Sequence, residues 1–284
     1  TVTGENMTAI CAAGLGGGSL VYQGMTLQPE EAVFNTHFPE ELDYARMDRV
    51  HYPRVARMLQ VETAPDELIS SPNYEAARVF ARNATRSGLP VSKIPMPIDW
   101  NFALAELRGE MKPSYTNGDG ALVMAAGSMN TTNLLVRAAA TGRITDLPDE
   151  LGAGWGTNAD RIYIWSDLAE NFGATQGGPV VYGSRNWDDP HNAFTVIQAS
   201  FPPVAFDAHS TVMVGFGVSR DRGRFVYDSA RGEAVLRWPK DGDSAIQQGH
   251  IGPAAQRIAA GGLLTDTNAI LPSTWHPLGG ACMN

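Results

Sequence analysis

Three segments of the chain carry residue types able to do chemistry. The first is Trp275-His-Pro-Leu-Gly-Gly280, in which Pro277 holds His276 extended and two glycines permit a tight turn against another backbone or a flat ring. An imidazole titrates near neutrality, at about 6.5 when unperturbed, so His276 can give or take a proton in a working site. The other five histidines, His37, His51, His191, His209 and His250, have no comparable context. The second segment is Ala13-Gly-Leu-Gly-Gly-Gly-Ser-Leu20. Backbone amides at Gly14, Gly16, Gly17, Gly18 and Ser19 can approach a phosphate or cofactor ring because no Cβ intervenes. It lacks the flanking strand and helix of a dinucleotide fingerprint and the Gly-Lys-Ser/Thr of a P-loop, so a structural turn is the competing reading. The third is Ala125-Ala-Gly-Ser-Met-Asn-Thr-Thr-Asn-Leu-Leu135, where a strand ends at Gly127 and Ser128 or Asn130 can cap a helix. Free amides there favour an anion, although an ordinary capped helix needs no ligand.

These segments sit in 284 residues with 43% hydrophobic and 18% charged side chains, a globular composition. Lys plus Arg number 21 against 30 Asp plus Glu, and the resulting charge of −9 repels phosphate, so no nucleic-acid partner is expected. No apolar run reaches the roughly 18 residues of a membrane helix, and the N-terminus lacks a signal-peptide pattern, so a soluble chain of unassigned location is expected. Cys11 and Cys282 are the only cysteines, too few for a disulfide framework or a Cys-based metal site, and no metal is expected.

The periodicity predicts helices over 39–61, broken at Pro53, over 72–88 and over 129–140, with an extended loop over 90–113 covering Trp100 and Phe102. The first 39 residues read as loop-rich. After a strand over 121–126, alternation predicts strands over 161–165, 194–201, 211–218, 224–228 and 234–238, the last three joined by hairpin turns into a meander. A helix over 253–260 precedes the closing segment. Helices first and strands later predict an α+β fold.

Taken in order, Gly-x-Gly-Gly-Gly-Ser, Ala-Gly-Ser-x-x-x-Thr-x-Leu-Leu and His-Pro-Leu-Gly-Gly resemble the glucose–methanol–choline flavoenzyme family, most closely its bacterial cholesterol oxidases with non-covalent FAD. The runs Leu15 to Met25, Asn133 to Gly142, Leu151 to Asn158, Arg222 to Asp228 and Trp275 to Cys282 carry that resemblance. It implies a steroid-binding domain with a large, mainly antiparallel sheet roofed by helices. The family's opening strand–Gly-x-Gly-x-x-Gly–helix and its closing segment have no counterpart here, and another stretch is shortened to Asn117-Gly-Asp-Gly120. The expectation is a single substrate domain over 1–284 from which the Rossmann-type FAD domain was removed, an engineered truncation with joints near 117–121 and at both ends.

Gly14, Gly16, Gly17, Gly18, Ser19, Gly127 and Ser128 would then be a remnant FAD rim, with no cofactor expected. Sterol oxidation needs the flavin as hydride acceptor. The family's cofactor-free step, isomerisation of a 3-oxo-Δ5 steroid to the Δ4 enone through a dienolate, could persist. The family's base, a glutamate, falls on Gln198 in a gapless count. By alternation Gln198 shares a face with Phe194 and Val196, which with Trp275 would line the steroid site. Glutamine is not a base, so His276 becomes the main proton-handling residue, as a donor to the dienolate oxygen or as a weak base. Asp207 lies near in sequence without an assigned place. An FAD-dependent 3β-hydroxysteroid oxidase and a non-catalytic lipid binder are the alternatives. Excision would also expose Leu15, Met124, Leu134 and Leu278, an apolar patch through which the chain could form homo-oligomers.

Overall fold

The computed structural model describes residues 2–11, 24–112, 128–145, 148–174, 176–200, 208–269 and 272–281. Its centre is a six-stranded sheet whose strands, from one edge to the other, are Leu263–Asp266, Arg161–Ser166, Ser210–Gly217, Phe194–Ala199, Tyr182–Asn186 and Ser92–Lys93. Every pairing in it is antiparallel. The architecture is α+β, with helices over a large antiparallel sheet.

Strand alternation sorts the sheet into two apolar faces. Val196, Met213, Tyr163 and Trp165 point to one side, where the helices Glu75–Arg86 and Gly252–Ile258 cover them with Val79, Phe80, Ala255 and Ile258. Ile197, Ala199 and Val214 point to the other side and pack with Ile94, Met96, Trp100 and Val181. A third cluster joins Met129 and Val136 of the helix Ser128–Ala140 to Trp155, Phe225, Leu236 and Trp238.

Several expectations need correction. Pro53 does not break the 39–61 region: Tyr44–Arg46, Met47–His51 and Tyr52–Met58 run on as one helical path whose middle turn is widened. There Tyr52 N–H donates to Met47 O, five residues back. The same device recurs at Gln247–Ile251, where Gly252 N–H donates to Gln247 O, and again a proline, Pro253, follows within two residues. A proline removes one amide and its ring strikes a carbonyl of the preceding turn; widening that turn absorbs both. The 90–113 stretch is not a loop throughout, because Asp99 accepts from Asn101 N–H and starts the helix Trp100–Leu107. Trp100 is buried there, whereas Phe102 is exposed. Among the first residues, Glu31–His37 is also helical.

The meander expected over 211–238 is divided. Ser210–Gly217 lies inside the large sheet, while Arg224–Asp228 pairs with Glu233–Arg237 in a separate hairpin. The strand expected over 121–126 and the joint near 117–121 lie outside the described residues.

The helical roof seats on the sheet at a glycine. A Cβ on Gly215 would lie 2.2 Å from Ile251 Cγ2, on the widened turn. Gly215→Ala is therefore expected to lower the unfolding free energy by about 1–3 kcal/mol in urea titration, the usual effect of overpacking.

Candidate functional site

The closing segment is held in place by backbone pairing. Ser273–Thr274 pairs in parallel with Thr8–Ala9, and Ile10 N–H donates to Thr274 O at 2.7 Å. Beyond it, Leu278 and Gly156 exchange two backbone hydrogen bonds of 2.9 Å. Gly279 has φ +69°, and a Cβ there would lie 2.5 Å from Gly154 O. The glycines after Leu278 thus serve a close backbone approach to the other glycine-rich segment, Leu151 to Asn158.

Between these anchors His276 meets a carboxylate. Its Nδ1 lies 2.7 Å from Asp160 Oδ1, at a separation of 116 residues. Asp160 Oδ2 accepts from Thr274 Oγ1 and, at 3.1 Å, from Trp275 N–H. Thr274 Oγ1 in turn accepts from His276 N–H at 3.0 Å. The Asp160 side chain is 0% exposed and that of His276 37%. Asp160 sits one residue before the strand Arg161–Ser166. Asn268 fastens the same junction: its Oδ1 accepts from Ile162 N–H, and its Nδ2 donates to Ser273 Oγ and Ser273 O.

This geometry decides what the imidazole can do. A carboxylate only accepts, so the Nδ1 facing Asp160 carries the proton and Nε2 of the neutral ring presents a lone pair. Neutral His276 is then poised as a base. Donation to a substrate oxygen from Nε2 needs the imidazolium. Among the described residues, Phe216 and Trp275 put aromatic surface beside it, with ring centroids 6.2 and 5.6 Å from the imidazole.

The residues singled out from sequence are distributed unevenly. His276 and Trp275 are together at this pair. Gln198 is not with them. It is 3% exposed, and its Nε2 donates to Ala199 O at 2.6 Å. With Phe194 and Val196 it faces the helix-covered side of the sheet, where Phe194 packs near His250. Phe216, opposite Thr195 in register, belongs to the other side. Alternation therefore puts Gln198 and Phe216, whose ring lies beside His276, on opposite faces of the sheet. Gly14, Gly16, Gly17, Gly18, Ser19, Gly127 and Asp207 lie outside the described residues; Ser128 opens a helix. Asp160 carries no signal in the sequence, since no spacing links it to His276. A cavity of about 520 Å³ reaches Asp160 but not His276. Its walls mix polar groups, Lys240, Gln247, Asp266 and Asn268 among them, with apolar ones such as Met7, Trp238 and Leu264. No group of three or more His, Cys, Asp or Glu among the described residues is arranged to hold a metal ion. None of the described helices is long and apolar enough to cross a membrane.

No protein-family profile matches the chain. Among solved structures it is similar to pyridoxine 4-oxidase from Mesorbium loti, at 14% identity and a TM-score of 0.49. That alignment covers 94% of this chain and 68% of the other. The likeness carries neither substrate nor chemistry across.

Asp243 is a second buried carboxyl near the pair. It is 2% exposed, and burial, first of all, pushes its pKa above the ordinary carboxylate value; Ser219 and Thr157 hydroxyls oppose this, and the charges of Asp221 and Asp160 add to it. A raised folded-state value means that the folded chain binds this proton more tightly than the unfolded one. The stability so gained is complete below the unfolded value and is lost as pH rises through the folded one. Asp243→Asn is expected to raise Tm at neutral pH, with the gain shrinking in acid, as thermal scans across pH would register.

Proposed function

We propose that the chain is a steroid-binding proton-transfer protein that shifts the double bond of a 3-oxo-Δ5 steroid into conjugation, with His276 as the base. The observation that carries this reading is the Asp160–His276 pair, a base with a fixed tautomer. The substrate class rests on the sequence resemblance described above. In the reaction Nε2 takes a proton from C4, the C–H electron pair moves into a C3–C4 double bond, and the carbonyl electrons move to oxygen. The resulting imidazolium, still paired with Asp160, returns the proton at C6 as the dienolate collapses to the Δ4 enone. No net electrons leave the substrate, so no redox cofactor is required. The single-domain reading of 1–284 belongs to the same proposal. So does self-association: Leu134 and Leu278 are 63% and 47% exposed, and sedimentation is expected to show a concentration-dependent dimer.

Incubation with a Δ5-3-ketosteroid is expected to produce enone absorbance above buffer. His276→Asn should lower that rate by about 10²–10⁴-fold, the usual worth of a positioned base. Asp160→Asn should lower it comparably by releasing the tautomer. A silent wild-type protein would overturn the reading, and saturable steroid binding without turnover would select a lipid carrier instead. A yellow preparation that releases flavin on denaturation would overturn the cofactor-free assignment in favour of a sterol oxidase.

A further inference from the structure

Among the described residues, four that are not glycine have left-handed backbones: Asn6, Gln60, Ala159 and Asp243. Such a conformation is sterically disfavoured for L-residues and persists where surrounding bonds enforce it. Two of the four, Ala159 at φ +54° and Asp243 at φ +64°, are joined through one hydroxyl. Thr157 Oγ1 accepts from Ala159 N–H at 2.8 Å and donates to Asp243 Oδ2. Asp243 N–H is fixed in turn by Asp221 Oδ2 at 2.7 Å. Thr157, Ala159 and Asp243 are all buried.

Ala159 immediately precedes Asp160, so the angle at which the Asp160 carboxylate leaves the chain follows from the backbone at 159. Without the Thr157 hydroxyl, Ala159 can relax to a right-handed or extended backbone. Asp160 would then turn relative to Thr274, Trp275 and His276. The Asp243 carboxyl is engaged at Oδ2 by the Thr157 hydroxyl, with the Ser219 hydroxyl also acting on it, while its backbone N–H is held separately by Asp221. The arrangement costs desolvation and returns a fixed loop.

We propose that Thr157 and Asp243 are positioning residues that hold Ala159 left-handed and thereby lock the Asp160 carboxylate onto His276 Nδ1–H. The proposal deepens the reading of His276 as the base and rests on it for its kinetic consequence only. Its structural half is read independently, from the tautomer of His276 in the ligand-free protein.

The test uses histidine-labelled full chain and four variants. Thr157→Val removes the hydroxyl at nearly constant shape, and Thr157→Ser restores it. Asp243→Gly removes the carboxyl without adding strain at positive φ, and Asp243→Asn keeps an acceptor. Thr157→Val and Asp243→Gly are expected to lose the hydrogen-bonded Nδ1–H resonance of His276 and to lower kcat on the Δ5-3-ketosteroid by about ten- to a hundredfold with KM little changed. Thr157→Ser and Asp243→Asn should retain both. Folded Thr157→Val and Asp243→Gly proteins with the wild-type resonance would overturn the proposal. Collapse of both folds would overturn it too, because the bonds would then support the domain at large. A wild-type protein without turnover whose resonance responds as stated would sink the isomerase reading and leave the positioning role standing.

Discussion

Asp160 is a carboxylate whose side chain has no contact with solvent, and much of the architecture around it follows from the need to satisfy that charge. A buried charge costs several kcal/mol unless partners surround it. Asp160 meets the requirement with a hydroxyl, a backbone amide and an imidazole, all from the three residues Thr274, Trp275 and His276. The bonds tie the start of a central strand to a segment far along the chain. The parallel pairing of Ser273–Thr274 with Thr8–Ala9, the Asn268 clamp and the Gly156–Leu278 bridge all converge on that junction. Together they give the imidazole one orientation and one tautomer.

The parts of this arrangement differ in how far the sequence discloses them. The helices at 75–86 and 128–140 and the strands at 161–166, 194–199 and 224–228 follow from apolar period and turn residues, which are local signals. Tyr182–Asn186 and Leu263–Asp266 escape that reading. The former, Tyr-Gly-Ser-Arg-Asn, has a glycine where a side chain would crowd Ile94 and Ile197 and a serine beside it, so its two buried positions carry no apolar side chain. The latter is an edge strand and exposes Leu263. In both cases the neighbours define the strand.

The same distinction governs the site. His276 stands out because Pro277 and two glycines restrict it locally. Asp160 has no local mark, and only the folded chain brings it within 2.7 Å. Gln198 illustrates the converse. Its alternation with Phe194 and Val196 puts the three on one face, but the period alone does not say which side of the sheet looks toward the imidazole. The core clusters do: that row belongs under the helices.

The two widened turns, Met47–His51 and Gln247–Ile251, have a consequence for how this chain tolerates change in length. A turn closed by a bond to the fifth residue back holds one residue more than an ordinary helical turn. Excising a single residue there, together with replacing the proline behind it, would leave a regular helix whose downstream side chains keep their rotational phase. Elsewhere in these helices the same excision would rotate every later residue by about 100°, given 3.6 residues per turn. At these two places, length and orientation are uncoupled.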